Sequence, residues 1–533
     1  MPTLDWIGKK AVINHHNEVP FHLLKDAVDL SVGEVGSGNL LVEGDNLVAL
    51  KALLPYYAGQ VKCIYIDPPY NTGNEGWIYN DNVNSPEIRK WLGKAVGGEI
   101  EDLSRHDKWL CMMYPRLCLL RELLSNEGAI IVSIDSNEIS FLRLLMDEIF
   151  SPSCFVAELI WKSRQHLDSR SKNGISLDHE YLLVYEKRKG NVSFRGKERD
   201  TTKYKNPDND PRGPWMSRSI LGLATAAQRP NLHYELIDPR TGHVYPCSSA
   251  TGWRYSKETM NELISEGRIL FPKKPSGRPR EKVFEGNLQK SHTGFPSIID
   301  GIFTDEGTYA MREILGSQIF SFPKPPRLVE TLVEQVATEK DSIVLDSFAG
   351  SGTTGHAVLQ LNKQDGGNRR FILVEMDSNI CRNVTAERLR RVCQGYERPD
   401  GIKVEGLGGG VRFCRLGTAC FDEYGRINAE VSFSDLARHI FFTETGEPIP
   451  KQAKDSNPLI GIYKGTAVYL LYNGILKDKQ PNGGNVLTQA ALNILPKHDG
   501  PKVIYGTACR FSPARLKREN IVFKQIPYEI RVR

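Results

Sequence analysis

The chain is poor in the residues that build specialised scaffolds. Ten cysteines occur in 533 residues, with no CxxC pair. Neither a disulfide framework nor a four-cysteine zinc site is expected, and a reducing cytoplasm fits best. The 12 histidines show no HxxxH or HExxH spacing, so no metal site is indicated. No apolar run approaches the roughly 18–20 residues of a membrane span. The opening MPTLDWIGKK lacks the apolar stretch of a secretory signal. No lysine follows the glycine-rich turns as in a Walker loop, so an ATP-driven step is not expected here. A large excess of one charge is missing too, the net value being +5. What remains is ordinary: 40% apolar and 25% charged residues, which excludes collagen-like, coiled-coil and disordered classes. The length predicts three or four domains.

Charge is unevenly placed. Residues 161–290 hold 25 Lys+Arg against 15 Asp+Glu. Such a block suits a phosphate backbone and equally suits a solvated surface. Aromatics are interleaved with its cations, at Trp161-Lys162, Trp215, Arg218 and Trp253-Arg254-Tyr255; such residues can stack on or clamp nucleic acid, or serve the local fold.

Short apolar runs alternate with helical patterns on either side of this block. VKCIYI at 61–66 and AIIVSI at 129–134 read as buried strands, with helical spacing from Trp109 to Leu124 between them. Strands are expected again at 342–345 and 371–374, joined by a helix over 353–362. Alternation of this kind predicts an α/β fold, a doubly wound, mostly parallel sheet. The boundaries expected are 1–160, 161–310, 311–400 and 401–533.

Two motifs carry chemistry. SIVLDSFAGSGTTG, residues 342–355, is a strand, a glycine-rich turn and a helix start. Gly350, Gly352 and Gly355 satisfy GxGxxG, and Glu375 ends the next strand where it can meet ribose hydroxyls. The turn fits NAD, FAD or S-adenosylmethionine. The second motif, Asp67-Pro68-Pro69-Tyr70, follows the strand VKCIYI directly. Two prolines end the ladder and fix a rigid turn. That turn presents the Asp67 carboxylate, the Pro68 carbonyl and a flat tyrosine face. Two acceptors and an aromatic suit the exocyclic amino group of a planar base. They localise the nitrogen lone pair and stabilise charge developing there during attack on a methyl sulfonium.

DPPY followed later by FxGxGTT resembles the amino-methylating DNA methyltransferases, in the β-class order. Longer stretches, LLVEGDNLVALKALLPYYAGQVKCIYIDPPYNTGNE, FSFPKPPRLVETLVE and LDSFAGSGTTGHAVLQLN, resemble the modification subunit of type III restriction–modification systems. The resemblance implies a Rossmann-like methyltransferase core, circularly permuted, with an inserted target-recognition domain and a C-terminal mixed α/β domain. It implies methyl transfer from S-adenosylmethionine to adenine in double-stranded DNA, with the base flipped out of the duplex. It also implies a homodimer and a restriction partner with ATPase and nuclease activity. Carried onto this chain, Asp67, Pro68, Pro69 and Tyr70 form the amino-group site. Asp346, Phe348, Gly350, Gly352 and Thr353 line the cofactor, and Glu375 binds its ribose. Asp45 sits near the cofactor adenine, or simply caps a helix. Lys324 packs by the methionine part, and Asp135 lines the pocket or ends a strand. Valine at Gly350 is expected to press on the cofactor. No covalent intermediate is needed, so the site is expected to lack the Pro-Cys nucleophile of carbon-5 cytosine methylation. The alternatives are amino-group methylation of cytosine, a nicotinamide or flavin oxidoreductase, and a catalytically silent DNA-binding subunit.

Overall fold

The computed structural model describes residues 4–33, 37–72, 98–167, 174–274, 276–288, 292–317, 319–421, 427–428, 430–447, 449, 457–472 and 485–526, with side chains from 105 onward in the helix that begins at 98. Residues 73–75, the end of the DPPYNTGNE stretch, lie outside them. The chain forms two compact units. One comprises Met1–Arg195 and Pro296–Arg533, the other Gly196–Phe295.

The first unit is organised by one large sheet. Its main path holds β1 His22–Asp26, β2 Leu40–Glu43, β3 Val61–Ile66, β4 Leu124–Ile134, β5 Phe155–Trp161, β6 Glu180–Glu186, β7 Ile298–Ile299, β8 Ile343–Asp346, β9 Arg370–Glu375 and β10 Gly410–Ala419, and a short strand, Val32–Gly33, pairs with β10 off that path. They lie in the order β1-β10-β2-β9-β8-β3-β4-β6-β5-β7. From β10 to β4 every neighbour is parallel. Parallel strands are covered on both faces, so their sequences are apolar nearly throughout. Five of the six residues of VKCIYI are accordingly buried, as are all four of β8. β3 and β8 are neighbours although the whole second unit separates them in sequence.

Parallel strands end on one edge. That edge gathers Glu43, Ile66, Ile134, Asp346 and Glu375. β6 runs antiparallel to β4, with Tyr181 opposite Ile134. It therefore begins where the parallel strands finish, and Glu180 joins the same edge.

Local signals set the flanking helices. Asn46–Tyr57 is N-capped by Asp45, whose carboxylate accepts from Val48 N at 3.0 Å. Pro326–Val336 opens on proline and buries Leu328, Val329, Leu332, Val333 and Val336. Thr353–Asp365 is bounded by Gly352 and Gly366, both left-handed.

Two expected boundaries are corrected. The insert is not 161–310 but Gly196–Phe295, because the apolar run Glu180–Glu186 pairs with β4 and β5 and belongs to the main sheet. Nor is 401–533 a unit of its own. β10 lies inside the main sheet between β1 and β2. Leu436, Ile440 and Phe441 of the helix Phe433–Thr445 share one apolar core with Leu50 and Leu53. A four-stranded sheet, Leu459–Tyr463, Thr466–Leu470, Lys502–Gly506 and Ile521–Gln525, completes this region.

The second unit is smaller and built on short strands. Ile269–Leu270, Arg280–Phe284 and Trp215–Ser219 form its main sheet. Ile220, Leu236, Trp253, Met260 and Leu263 form its core. Among the described residues no helix is long and apolar enough to cross a membrane.

Candidate active site at the carboxyl edge of the sheet

The tetrapeptide Asp67–Tyr70 leaves the tip of β3 and is held from several sides. The Trp109 indole donates to the Pro69 carbonyl at 2.7 Å, and Trp109 is fully buried. Asn71 follows with φ of +61°, buried, its amide on the Glu138 carboxylate. His106 reaches the same Glu138 oxygen at 2.6 Å. A left-handed asparagine costs about 1–3 kcal/mol and persists only where its surroundings over-determine it. Here they do, so the turn is rigid before any ligand arrives.

Around Asp67 lies a compact polar cluster. The Tyr70 hydroxyl is 2.9 Å from Asp67 Oδ1 and 2.8 Å from Glu180 Oε2. Lys324 Nζ is 2.9 Å from Asp67 Oδ2, 3.3 Å from Glu180 Oε2 and 2.8 Å from the Tyr70 oxygen. Burial raises the Asp67 pKa above the ordinary carboxylate value, and the Lys324 charge pulls against it. Burial lowers the Lys324 ammonium, but Asp67 and Glu180 outweigh this and leave it above the usual lysine value. Burial and the two carboxylates push the Tyr70 phenol far up, so Tyr70 stays neutral.

Lys324 joins this cluster from the segment that precedes the glycine turn. Its backbone carbonyl accepts from Thr353 Oγ1 at 3.2 Å, beside the glycine turn. Its side chain turns away to the DPPY cluster because two carboxylates draw a buried ammonium more strongly than neutral amides do. Glu180 was missed altogether.

The glycine turn is an internally bonded loop. Asp346 accepts from Phe348 N at 2.9 Å and from Thr354 Oγ1 at 2.6 Å, which commits both its oxygens to the loop. Burial drives its pKa to about 7. Glu375 accepts from Gly350 N at 2.8 Å and from Asp377 N at 2.9 Å, and burial raises it to about 6. Gly350 and Gly352 have φ of +49° and +77°, which a side chain resists. A Cβ on Gly350 would stand 3.1 Å from the Phe320 ring. A valine there therefore meets Phe320 and backbone strain, rather than pressing only on a ligand. Arg388, fully buried, donates to Ser351 Oγ at 3.0 Å and Thr353 Oγ1 at 2.9 Å from behind the loop.

Asp45 is a helix cap, as one of its two readings has it. It also faces the buried Arg116, 3.4 Å away. Asn46 ties that cap to the loop through the Ser347 carbonyl at 3.2 Å. Asp135 accepts from Asn137 N at 2.9 Å, the bond of a strand-end turn.

Trp215, Arg218 and Trp253, singled out in the insert, are tied into the fold of the second unit. Arg218 and Arg268 bracket the fully buried Glu281 at 2.8 and 3.0 Å. Trp253 is buried with its indole on the Tyr234 carbonyl at 2.7 Å, and Trp215 donates to Asp208 at 2.8 Å. One Pro-Cys dipeptide escaped the sequence reading, Pro246-Cys247. It belongs to the second unit, where Cys247 Sγ donates to the Thr251 carbonyl at 3.4 Å. Burial raises its pKa, which disfavours the thiolate.

A mostly parallel α/β sheet, with a glycine turn on one strand and an acceptor-rich tetrapeptide on its neighbour, is a Rossmann-like methyltransferase arrangement. The DNA methylase family model matches residues 61–387, and the chain belongs to that family. It is 34% identical to the type III restriction-modification enzyme StyLTI Mod subunit of Salmonella typhimurium, over 75% of this chain and 62% of that protein. It is 32% identical to the EcoP15I Mod subunit of Escherichia coli, over 75% of this chain and 70% of the relative. With the type II methyltransferase M.KpnI of Klebsiella pneumoniae it shares 33% identity, over 68% of this chain and 85% of the relative. The chain thus matches less than two thirds of the length of the StyLTI subunit.

Proposed function

We propose that this chain transfers a methyl group from S-adenosylmethionine to the exocyclic amino group of adenine in duplex DNA, as the modification subunit of a restriction–modification system. The observation that carries the reading is Asp67-Pro68-Pro69-Tyr70 at the tip of β3, beside the glycine turn of β8. Its core is the circularly permuted one, with the DPPY half first in the chain. The unit Gly196–Phe295 reads the target sequence. The assembly is a homodimer in the cytoplasm, with a separate restriction subunit carrying ATPase and nuclease activity.

The crevice residues fit this cofactor. Asp67, Asp346 and Glu375 crowd the strand ends, and Glu375 already takes the Gly350 amide at 2.8 Å. A pyrophosphate would meet those carboxylates and find that amide occupied. A cofactor bearing a sulfonium charge and ribose hydroxyls suits them. Ser347 Oγ, buried and without a hydrogen-bond partner in the loop, offers it one more polar contact. Phe348, Gly350, Gly352, Thr353 and Glu375 would hold it, with Asp45 and Asp346 shaping the loop around it. When bound, S-adenosylmethionine supplies an activated methyl group.

The protein's own part is to prepare the amino group. Asp67 and the Pro68 carbonyl accept its two hydrogens, and Tyr70 offers a face to the flipped base. Lys324 opposes the burial that raises the Asp67 pKa and so favours its carboxylate form. Trp109 prevents the turn from relaxing, so the acceptors are preorganised for charge developing on nitrogen.

Methylation sequencing of DNA from cells expressing the chain, against an Asp67→Ala control, tests the reading. Methylated adenine at one short motif, absent from the control, is expected, with cofactor binding retained by the variant. Equal methylation from both would refute the mechanism. Light scattering of the purified chain tests the dimer.

A further inference from the structure

We propose that Asp67, Tyr70 and Glu180 form a proton relay that removes the proton an amino group must shed when it is methylated, with Glu180 as its terminal acceptor. The inference rests on the proposed adenine methylation and deepens it.

The Tyr70 hydroxyl has one proton and lies within hydrogen-bond distance of two carboxylates, Asp67 Oδ1 at 2.9 Å and Glu180 Oε2 at 2.8 Å. It can donate to only one of them at a time. Lys324 donates to the phenol oxygen at 2.8 Å, and so fills a lone pair without supplying a donor to either acid from that oxygen. Two carboxylates and one ammonium leave the cluster one negative charge in excess. The arrangement therefore has room for one more proton, on one carboxyl or the other. Moving the Tyr70 hydroxyl proton toward Glu180 while Asp67 hands its own to the phenol oxygen transfers that proton across the cluster without moving a heavy atom.

The groups around Glu180 support this direction. Asp67, Tyr70 and Lys324 face it directly, and Tyr65 stands in the field of both acids. Asp346 lies within electrostatic reach of Asp67. The side chains on either side of Glu180 in sequence, His179 and Tyr181, bond to each other at 3.1 Å. The Glu180 side chain keeps 17% of its exposure, enough to exchange a proton with water.

The nitrogen–carbon bond forms as the methyl–sulfur bond breaks, the electron pair leaving with sulfur. The amino nitrogen, now more acidic, loses one hydrogen to Asp67. Asp67 protonates the Tyr70 oxygen as the phenol proton moves to Glu180, and Glu180 releases it to solvent. No oxidant or second substrate is needed.

Glu180→Gln keeps an acceptor for Tyr70 and removes the basic site. Three readouts are taken together. Single-turnover methylation of unmethylated plasmid DNA is followed over about pH 6 to 9, in water and in deuterium oxide. Cofactor affinity is measured by calorimetry. Infrared spectra of the cofactor-free chain are titrated for a protonated carboxyl. The variant should bind cofactor as wild type does, methylate about tenfold or more slowly, lose the solvent isotope effect, and show a displaced acid limb that reports Asp67 alone. The carboxyl band of the cluster should be altered. Glu180→Asp should restore the limb, which a purely structural role for the side chain would not require. A Glu180→Gln profile matching wild type in rate, limb and isotope effect would overturn the relay while leaving adenine methylation standing. Failure of Glu180→Asp to restore the limb would also overturn it. Absence of adenine methylation by the wild-type chain would instead remove the reading on which the relay rests.

Discussion

Replacing Lys324 by methionine keeps the chain length and removes the ammonium. Nζ lies 2.9 Å from Asp67 Oδ2 and 3.3 Å from Glu180 Oε2. At an effective dielectric constant of about 20, such separations correspond to roughly 5–6 kcal/mol each, most of it offset by stripping water from the ion. The remainder is read in the acids. A nearby cation lowers a carboxyl pKa by about one to three, so its loss raises Asp67 by that amount. Burial already holds Asp67 above its ordinary value and Lys324 opposes this. The two effects then stop cancelling. Since Asp67 must be ionised to accept the amino hydrogens, the acid limb of single-turnover methylation should move up by about one to three pH units. Rates should approach wild type only at alkaline pH. Without the ammonium, two buried carboxylates face each other across Tyr70, costing about 3–5 kcal/mol unless one takes up a proton. Calorimetry with S-adenosylmethionine is the control, and affinity should change little because the ammonium is bonded to Asp67, Glu180 and Tyr70. An acid limb at the wild-type pH would refute the assignment of Lys324 to Asp67. A large loss of cofactor affinity with an unmoved limb would return Lys324 to the cofactor.

Three further outcomes are expected. Burial raises Asp346 from 3.8 to about 7, so the folded chain holds a proton there that the unfolded chain releases above about pH 4. Its contribution is fully present at low pH and falls as pH rises from about 4 to 7. Asp346→Asn should therefore gain stability relative to wild type over that window, measured by denaturant melts at its two ends; a constant difference would contradict the burial argument. Glu281→Ala should take the shared carboxylate from Arg218 and Arg268, leaving them Tyr255 and Glu266, and destabilise that unit by about 1–3 kcal/mol. Limited proteolysis should then cut within 196–295, and unchanged resistance would count against it. Gly350→Ala should cost about 1–2 kcal/mol from its left-handed backbone, with a further loss from the Phe320 ring. Phe320→Leu added to Gly350→Ala should recover the second part, and melts that fail to separate the two would argue against the contact.

The parts of the molecule legible in the sequence are those whose causes are local. VKCIYI reads as a buried strand because a central parallel strand is covered on both faces, and it is β3 to the residue. The proline pair and the glycine turn announce themselves through backbone restrictions that only those residues impose. Glu180 was illegible for the opposite reason. It opens an apolar run like any polar residue flanking a strand, and it reaches Tyr70, 110 residues away, only because β6 runs antiparallel to β4. Nothing in the local pattern gives that direction. Lys324 was assigned to the right segment, but its side chain is claimed by charges on distant strands. The insert was drawn too wide because its Gly- and Pro-rich composition masks Glu180–Glu186, which pairs in the main sheet.

The order of strands has a consequence for synthesis. β3 leaves the ribosome with β4 and β6 soon behind it, but its other neighbour, β8, is translated only after the entire insert. At about 5–20 residues per second, the wait for residues 343–346 is roughly 15–55 s. Throughout it one flank of β3 exposes unpaired amides and carbonyls, the kind of edge that recruits other chains. The nascent amino-terminal half is therefore expected to bind chaperones until β8 and β9 slot between β3 and β2. Ribosome-bound chains halted before residue 343 should bind chaperones and resist refolding, and chains released past β10 should not.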